Sequence, residues 1–171
     1  LRAFTDDDVV HVEGRVSPEE DMETINTELI LADLQTIDKA LPRLQKEART
    51  DKSKAGALAA AEEARALLDN GTTIFASGVD PAPLRELFLL TAKPFLYVIN
   101  VDEAELADEG FKQRMRDMVA PAEAVFLDAK LESELIDLDE ADAAELLAST
   151  GQEESGLDQL ARIGFDTLGL Q

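Results

Sequence analysis

Two short segments carry polar groups where an α/β sheet binds ligands. Asn100-Val101-Asp102-Glu103 follows the apolar run Phe95-Leu96-Tyr97-Val98-Ile99, and Asp128-Ala129-Lys130 follows Ala124-Val125-Phe126-Leu127. Each run reads as a buried strand. Ligands of open α/β sheets sit just outside the carboxyl ends of such strands. An asparagine there can offer a purine edge both a donor and an acceptor. The carboxylate of Glu103, three residues on, can accept from ring or exocyclic N–H groups. In a nucleotide site the second turn would bring backbone N–H groups to the base. The two strand ends are neighbours in a parallel sheet, so the pair is more informative than either member. The plainer reading is two strand-to-helix turns, with Asn100 turning the chain and the acids starting helices.

A third feature is electrostatic. Residues 39–54 hold Lys39, Arg43, Lys46, Arg49, Lys52 and Lys54 against Glu47 and Asp51, a local charge of +4. The rest of the chain has 10 basic and 35 acidic residues, or -25. Arg43, Lys46, Arg49 and Lys52 are the candidate RNA-phosphate contacts; the competing reading is a solvated, charge-rich helix end. His11 stands in an apolar strand run and reads as a structural histidine. Glu132, Glu134, Asp137, Asp139 and Glu140 read as a solvated helix face rather than a metal site. None of the nine glycines precedes a lysine, so no G-x-x-x-x-G-K-[ST] phosphate loop is present.

Composition narrows the rest. The chain has 171 residues, 45% of them apolar and 31% charged, with a formal charge of -21. A packed core is expected and wholesale disorder is not. The surface as a whole should repel nucleic acid and anionic membranes, so RNA contact requires a local exception. With no cysteine and one histidine, thiolate metal sites and a Ser-His triad are poor expectations. No apolar run approaches the ~18 residues of a membrane span. With no signal peptide and no spanning run, a cytoplasmic protein is expected; Leu1-Arg2-Ala3-Phe4 opens without methionine and reads like the middle of a strand, and together with the abrupt end this suggests a piece of a longer protein.

The elements that must position these groups are legible as patterns. Ser17-Pro18-Glu19-Glu20 is a helix start with a capping box. Ile30, Leu34, Ile37, Leu41, Leu44 and Ala48 then form a heptad seam to about Arg49, with Ile25 and Leu29 as a second apolar edge. Pro42 should kink or break the helix near residue 41. Ala57, Ala61, Ala64 and Leu68 repeat the spacing on a second helix, which Asn70-Gly71 ends. The pair reads as an antiparallel hairpin, a two-stranded coiled coil. Residues 71–79 read as a loop, and Asp80-Pro81 restarts a helix to about Leu90 with Leu84, Leu87 and Phe88 inward. The chain continues as a strand, a helix over 108–119 with Phe111, Met115 and Met118 inward, a second strand, and helices near 130–148 and 155–167. That order is α/β with a parallel sheet.

The segments "RAFTDDDVVHVEGRVSPEEDMETINTELILADLQTIDKAL", "LLTAKPFLYVINVDE" and "EESGLDQLARIGFDTLGLQ" resemble the YchF group of Obg-like ATPases, in the same order and over nearly the whole chain. The resemblance implies part of a Ras-like P-loop NTPase. Residues 1–16 would be a strand of the nucleotide domain, 17–80 a coiled-coil insertion, and 81–171 the second half of the nucleotide domain. The phosphate loop, both switch regions and a carboxyl-terminal domain would lie outside this chain.

The same resemblance implies magnesium-dependent ATP hydrolysis and ribosome association for the full-length protein. Ras-like GTPases read guanine with N-K-x-D, whereas this group carries N-x-x-E, here Asn100 to Glu103. The base-side residues implied are Asn100, the Val101 backbone, Glu103, Ala129 and Lys130. No catalytic or metal-ligating residue is implied in this chain, which alone is expected to be inactive. The alternative reading is a non-catalytic, acidic coiled-coil interaction module on a degenerate nucleotide fold.

Overall fold

The computed structural model describes residues 1–4 and 16–170. They form two compact units, one of Met22–Pro94 and one of Leu1–Asp21 with Phe95–Gln171. The turn expected at Asp6-Asp7-Asp8, the strand expected at Val9–Val12 and the role given to His11 lie outside the described residues.

The first unit is the arm. Helix α1 (Pro18–Thr50) begins where the Glu20 N–H donates to Ser17 Oγ, 3.4 Å away. It runs unbroken through Pro42, which corrects the expected break near residue 41. The proline removes one amide donor, but packing holds the turn on both sides. Ile30, Ile37 and Leu44 are buried, Leu34 and Leu41 lie against them, and all face Ala61, Ala64 and Leu68 of α2 (Ala55–Asp69). Alanine on the second helix admits the larger side chains of the first. The two helices join through one 3₁₀ turn, Lys52–Lys54, begun by Asp51, whose carboxylate accepts the Ser53 N–H at 2.9 Å. Arg65 ties the helices across by donating to Asp38 at 2.7 Å, and also reaches Asp69 at 2.5 Å. Asn70 and Gly71, at φ 76°, stop α2 as expected.

Beyond α2 the chain departs from its pattern. A one-turn helix, α3 (Ile74–Ser77), capped by Thr73, lies inside the expected loop. The helix expected to Leu90 is a 3₁₀ turn over Ala82–Leu87. Leu84 is buried, whereas Phe88, expected inward, is 78% exposed at φ 52°. The cause is Asp33, a buried residue of α1. Its carboxylate accepts the N–H groups of Leu90 and Thr91 at 2.8 and 2.7 Å and the Thr91 hydroxyl at 2.7 Å. Those amides are therefore not available to continue a helix. Leu84 and Leu89 join the arm's apolar core, so the unit extends to Pro94 rather than ending near residue 80.

The second unit carries the sheet. Strands β1 (Leu96–Asn100) and β2 (Glu123–Leu127) pair in parallel, from Leu96 opposite Glu123 to Asn100 opposite Leu127. Residues 1–4 lie along the other edge of β1: the Asn100 N–H donates to Leu1 O, and the Ala3 N–H to Asn100 O, each at 2.8 Å. Helices α4 (Glu103–Ala107) and α5 (Glu109–Val119) link the strands, and α6 (Ala129–Ile136), α7 (Glu140–Ser149) and α8 (Gly156–Thr167) follow β2. On β1, Tyr97 and Ile99 are buried while Leu96 and Val98 are only half-buried, so the two faces are not equally covered. Helix α5 turns Met115 inward as expected, but with Lys112 and Val119 beside it; Met118 is 42% exposed, a correction to the expected face. Phe111 stays at the edge, its ring 6.3 Å from that of Phe126, and the buried Lys112 ammonium pairs with Glu109. Among the described residues no helix is long and apolar enough to cross a membrane.

Candidate functional site

The last register pair, Asn100 with Leu127, delivers the two candidate segments side by side. The Val101 N–H donates to Leu127 O at 3.0 Å, carrying the parallel ladder one residue past the strand. Asn100 Oδ1 then accepts the Ala129 N–H at 3.2 Å. This bond joins the end of one strand to the turn after the next, so the segments paired in the sequence are paired in space.

The same bonds change what each group can do. Ala129 gives its N–H to Asn100, and Lys130 gives its N–H to Asp128 Oδ1 at 2.8 Å. The expectation that this turn offers backbone N–H groups to a base is therefore corrected: the strand-end asparagine and the capping aspartate consume them. Val101 is 1% exposed and its N–H is engaged, so it presents almost no surface to a ligand in this structure. Asn100 Oδ1 already holds one bond inside the protein, and its Nδ2 is a donor suited to a purine nitrogen. Glu103 is exposed at the first position of α4, and Ala129 and Lys130 are exposed at the start of α6. Glu103 and Lys130 line an open cleft of about 190 Å³ with Leu106, Asp128 and Leu146; Asn100, Val101 and Ala129 are outside its lining.

The acids between these groups are caps. Asp102 accepts the N–H groups of Ala104 and Glu105 at 2.9 and 3.1 Å, and Glu105 Oε2 accepts the Asp102 N–H at 3.1 Å, a complete capping box. The hydrogen bond with the Glu105 side chain holds the Asp102 carboxyl below its usual range. Burial pushes Glu105 up, and its hydrogen bond with Asp102 adds to that. Asp128 caps α6, which accounts for an aspartate at that position.

One member of the site escaped the sequence reading. Glu132, read as part of a solvated face, is 7% exposed. Its two oxygens accept the N–H groups of Gly156 and Leu157, at 2.6 and 3.3 Å, at the start of α8. Its neighbour Leu131 is also buried. Glu134, Asp137, Asp139 and Glu140 are exposed as expected. Among the described residues no group of three or more acids and histidines could hold a metal ion.

On the arm, Lys46, Arg49 and Lys52 are exposed near the turn between α1 and α2. Arg43 is exposed but pairs with Glu47 at 2.9 Å, so part of its charge is already met. The Asp51 carboxyl is held below its usual range by hydrogen bonding to Ser53.

No protein-family model matches the chain. Over its whole length it is 38% identical to the ribosome-binding ATPase YchF of Haemophilus influenzae, covering 49% of that protein. Identity to YchF of Bacillus subtilis is 37% over 99% of the chain, again covering 49% of the relative. The chain is thus similar to about half of YchF. Identity to an Obg-like ATPase homolog of Schizosaccharomyces pombe is 33%, covering 43% of it. The structure of the S. pombe YchF GTPase superposes on 98% of this chain and 48% of its own, with a TM-score of 0.79 and 25% identity. The chain thus spans about half the length of the curated relatives it matches. Its fold is an α/β part of a Ras-like P-loop NTPase, with a helical hairpin inserted ahead of the strands that carry the site.

Proposed function

We propose that the full-length protein binds and hydrolyses ATP with magnesium, prefers ATP to GTP, and acts in the cytoplasm at the ribosome. The single observation that carries this reading is the bond from Ala129 N–H to Asn100 Oδ1. It fixes the asparagine amide so that Nδ2 is the donor left for a purine ring nitrogen, at the carboxyl end of a parallel sheet. Glu103, exposed at the start of α4, is the acceptor offered to the 6-amino group of adenine. The aspartate of N-K-x-D instead accepts from two guanine N–H groups, a pair that adenine lacks. Lys130 and Ala129 supply the apolar stem and methyl against which a base can lie.

This chain holds no phosphate loop, so the groups that would bind triphosphate and magnesium belong to the rest of the longer protein. Bound there, the ion would neutralise charge on the transferring phosphoryl group; the residues here would orient the base. Ribosome association fits the names of the relatives, and the exposed Lys46, Arg49 and Lys52, with Arg43, offer phosphate contacts on an otherwise acidic protein.

The test restores N-K-x-D in the full-length protein by Val101→Lys with Glu103→Asp. The ATP-to-GTP affinity ratio should shift toward GTP by about tenfold or more, since a buried base-edge hydrogen bond is worth roughly 1–3 kcal/mol. Titration of labelled ATP and GTP reads it. An unchanged ratio in a folded variant would remove base reading from this segment.

A further inference from the structure

The turn that meets Asn100 is held from behind. Helix α6 starts at Ala129, and one turn later the Glu132 N–H donates to Asp128 O at 2.9 Å. The Glu132 side chain is buried and both its oxygens are bound to the first two amides of α8. With Ser155 Oγ accepting the Asp158 N–H at 3.0 Å, the opening amides of α8 are met by side chains. The positive end of α8 thereby rests on a buried carboxylate. The contact is close enough to dictate residue 156. A Cβ there would lie 3.0 Å from Glu132 Oε1, 3.2 Å from Leu127 Cα, and in overlap with Leu127 Cβ. Leu127 is the register partner of Asn100.

We infer that Glu132 is a positioning residue for base recognition: through Gly156 and Leu157 it locks the start of α6 against β2, and so fixes Ala129 and Lys130 opposite Asn100. This rests on the base-binding role proposed above for those three residues. A carboxylate is required because it accepts two N–H groups with no donor of its own. Glutamine at 132 keeps the volume but can offer only one oxygen, so one amide of α8 would face an NH₂ group. Gly156→Ala attacks the same lock from its other side.

Two measurements on the full-length protein, in the wild type, Glu132→Gln and Gly156→Ala, separate this inference from the reading beneath it. Hydrogen exchange over residues 128–131 needs no nucleotide. Both variants should speed it about tenfold or more, while β1 and β2 keep their protection. Affinities for ATP, GTP and inorganic tripolyphosphate come next. Both variants should bind ATP several-fold more weakly, with a smaller ATP-to-GTP ratio, and tripolyphosphate as the wild type does. Unchanged exchange at 128–131 in both variants overturns the inference. So does a fall in ATP and tripolyphosphate affinity by the same factor, which would mean a general loss of fold. Faster exchange in the variants, with a wild type indifferent to the base, supports the lock and places the failure in the proposed function.

Discussion

The sheet unit and the arm keep their helices by different means. In the sheet unit, α4, α5, α6 and α7 are only 5–11 residues long, and each begins on an aspartate: Asp102, Asp108, Asp128 and Asp139. Helices so short are marginal alone, and a carboxylate that takes first-turn amides, two at Asp102, Asp128 and Asp139 and one at Asp108, helps hold each one. In the arm, α1 has 33 residues and α2 begins at Lys54 with no side-chain cap. Those two stand by the seam of Ile30, Ile37 and Leu44 on Ala61, Ala64 and Leu68. The difference gives a structural role to four of the chain's acidic residues. Carboxylates that resemble ligand sets in the sequence are employed as helix starts, close to the strand ends where a nucleotide would sit.

Among the described residues the arm buries one charged side chain, Asp33, and removing it should have the largest effect. Asp33→Ala strands the N–H groups of Leu90 and Thr91 and the Thr91 hydroxyl, all now bound to one buried carboxylate. A loss of about 3–5 kcal/mol is expected in urea unfolding of this chain, with Asp33→Asn milder because one oxygen remains. A smaller cost follows from Asp128→Ala, which frees the Lys130 and Leu131 amides at the start of α6. It should cost about 1 kcal/mol in the same measurement. If Asp128→Ala proved as costly as Asp33→Ala, the two units would not be held by different means after all. The smallest effect on stability belongs to the tip: Arg43, Lys46, Arg49 and Lys52 all changed to Gln should leave the unfolding midpoint nearly unchanged. The change removes one exposed ion pair of little worth. The same variant of the full-length protein should co-sediment less with ribosomes, and its salt dependence should flatten. Undiminished co-sedimentation would leave these side chains as a solvated helix end.

The sequence patterns carried most of this architecture. Seam positions separated by seven are the buried ones, Ile30, Ile37 and Leu44, because period and burial are one geometric fact on a helix. Asn100 and the 128–130 turn were legible because a polar residue directly after a buried strand must lie at the sheet's edge. What stayed hidden depends on partners far along the chain. Phe88 is turned outward by Asp33, 55 positions away, and Glu132 is drawn inward by Gly156; neither has a local signature. Pro42 shows the converse, a strong local rule overridden by packing on both sides.

That proline has a dynamic consequence. An α-helix resists opening because each amide is tied to the turn before it, and at Pro42 one such tie, to the carbonyl of Asp38, is absent. The residue that loses the tie is the one whose side chain Arg65 holds from the opposite helix. Helix α1 is therefore divided into a long proximal stretch and a short distal one, pinned at the join. Arg43, Lys46 and Arg49 all belong to the distal stretch, which Leu44 alone buries in the seam and which is therefore held less firmly than the stretch before it. Its amides should exchange with solvent as a separate, faster group. The charged end of the arm can then adjust to an irregular surface while the rest keeps its shape.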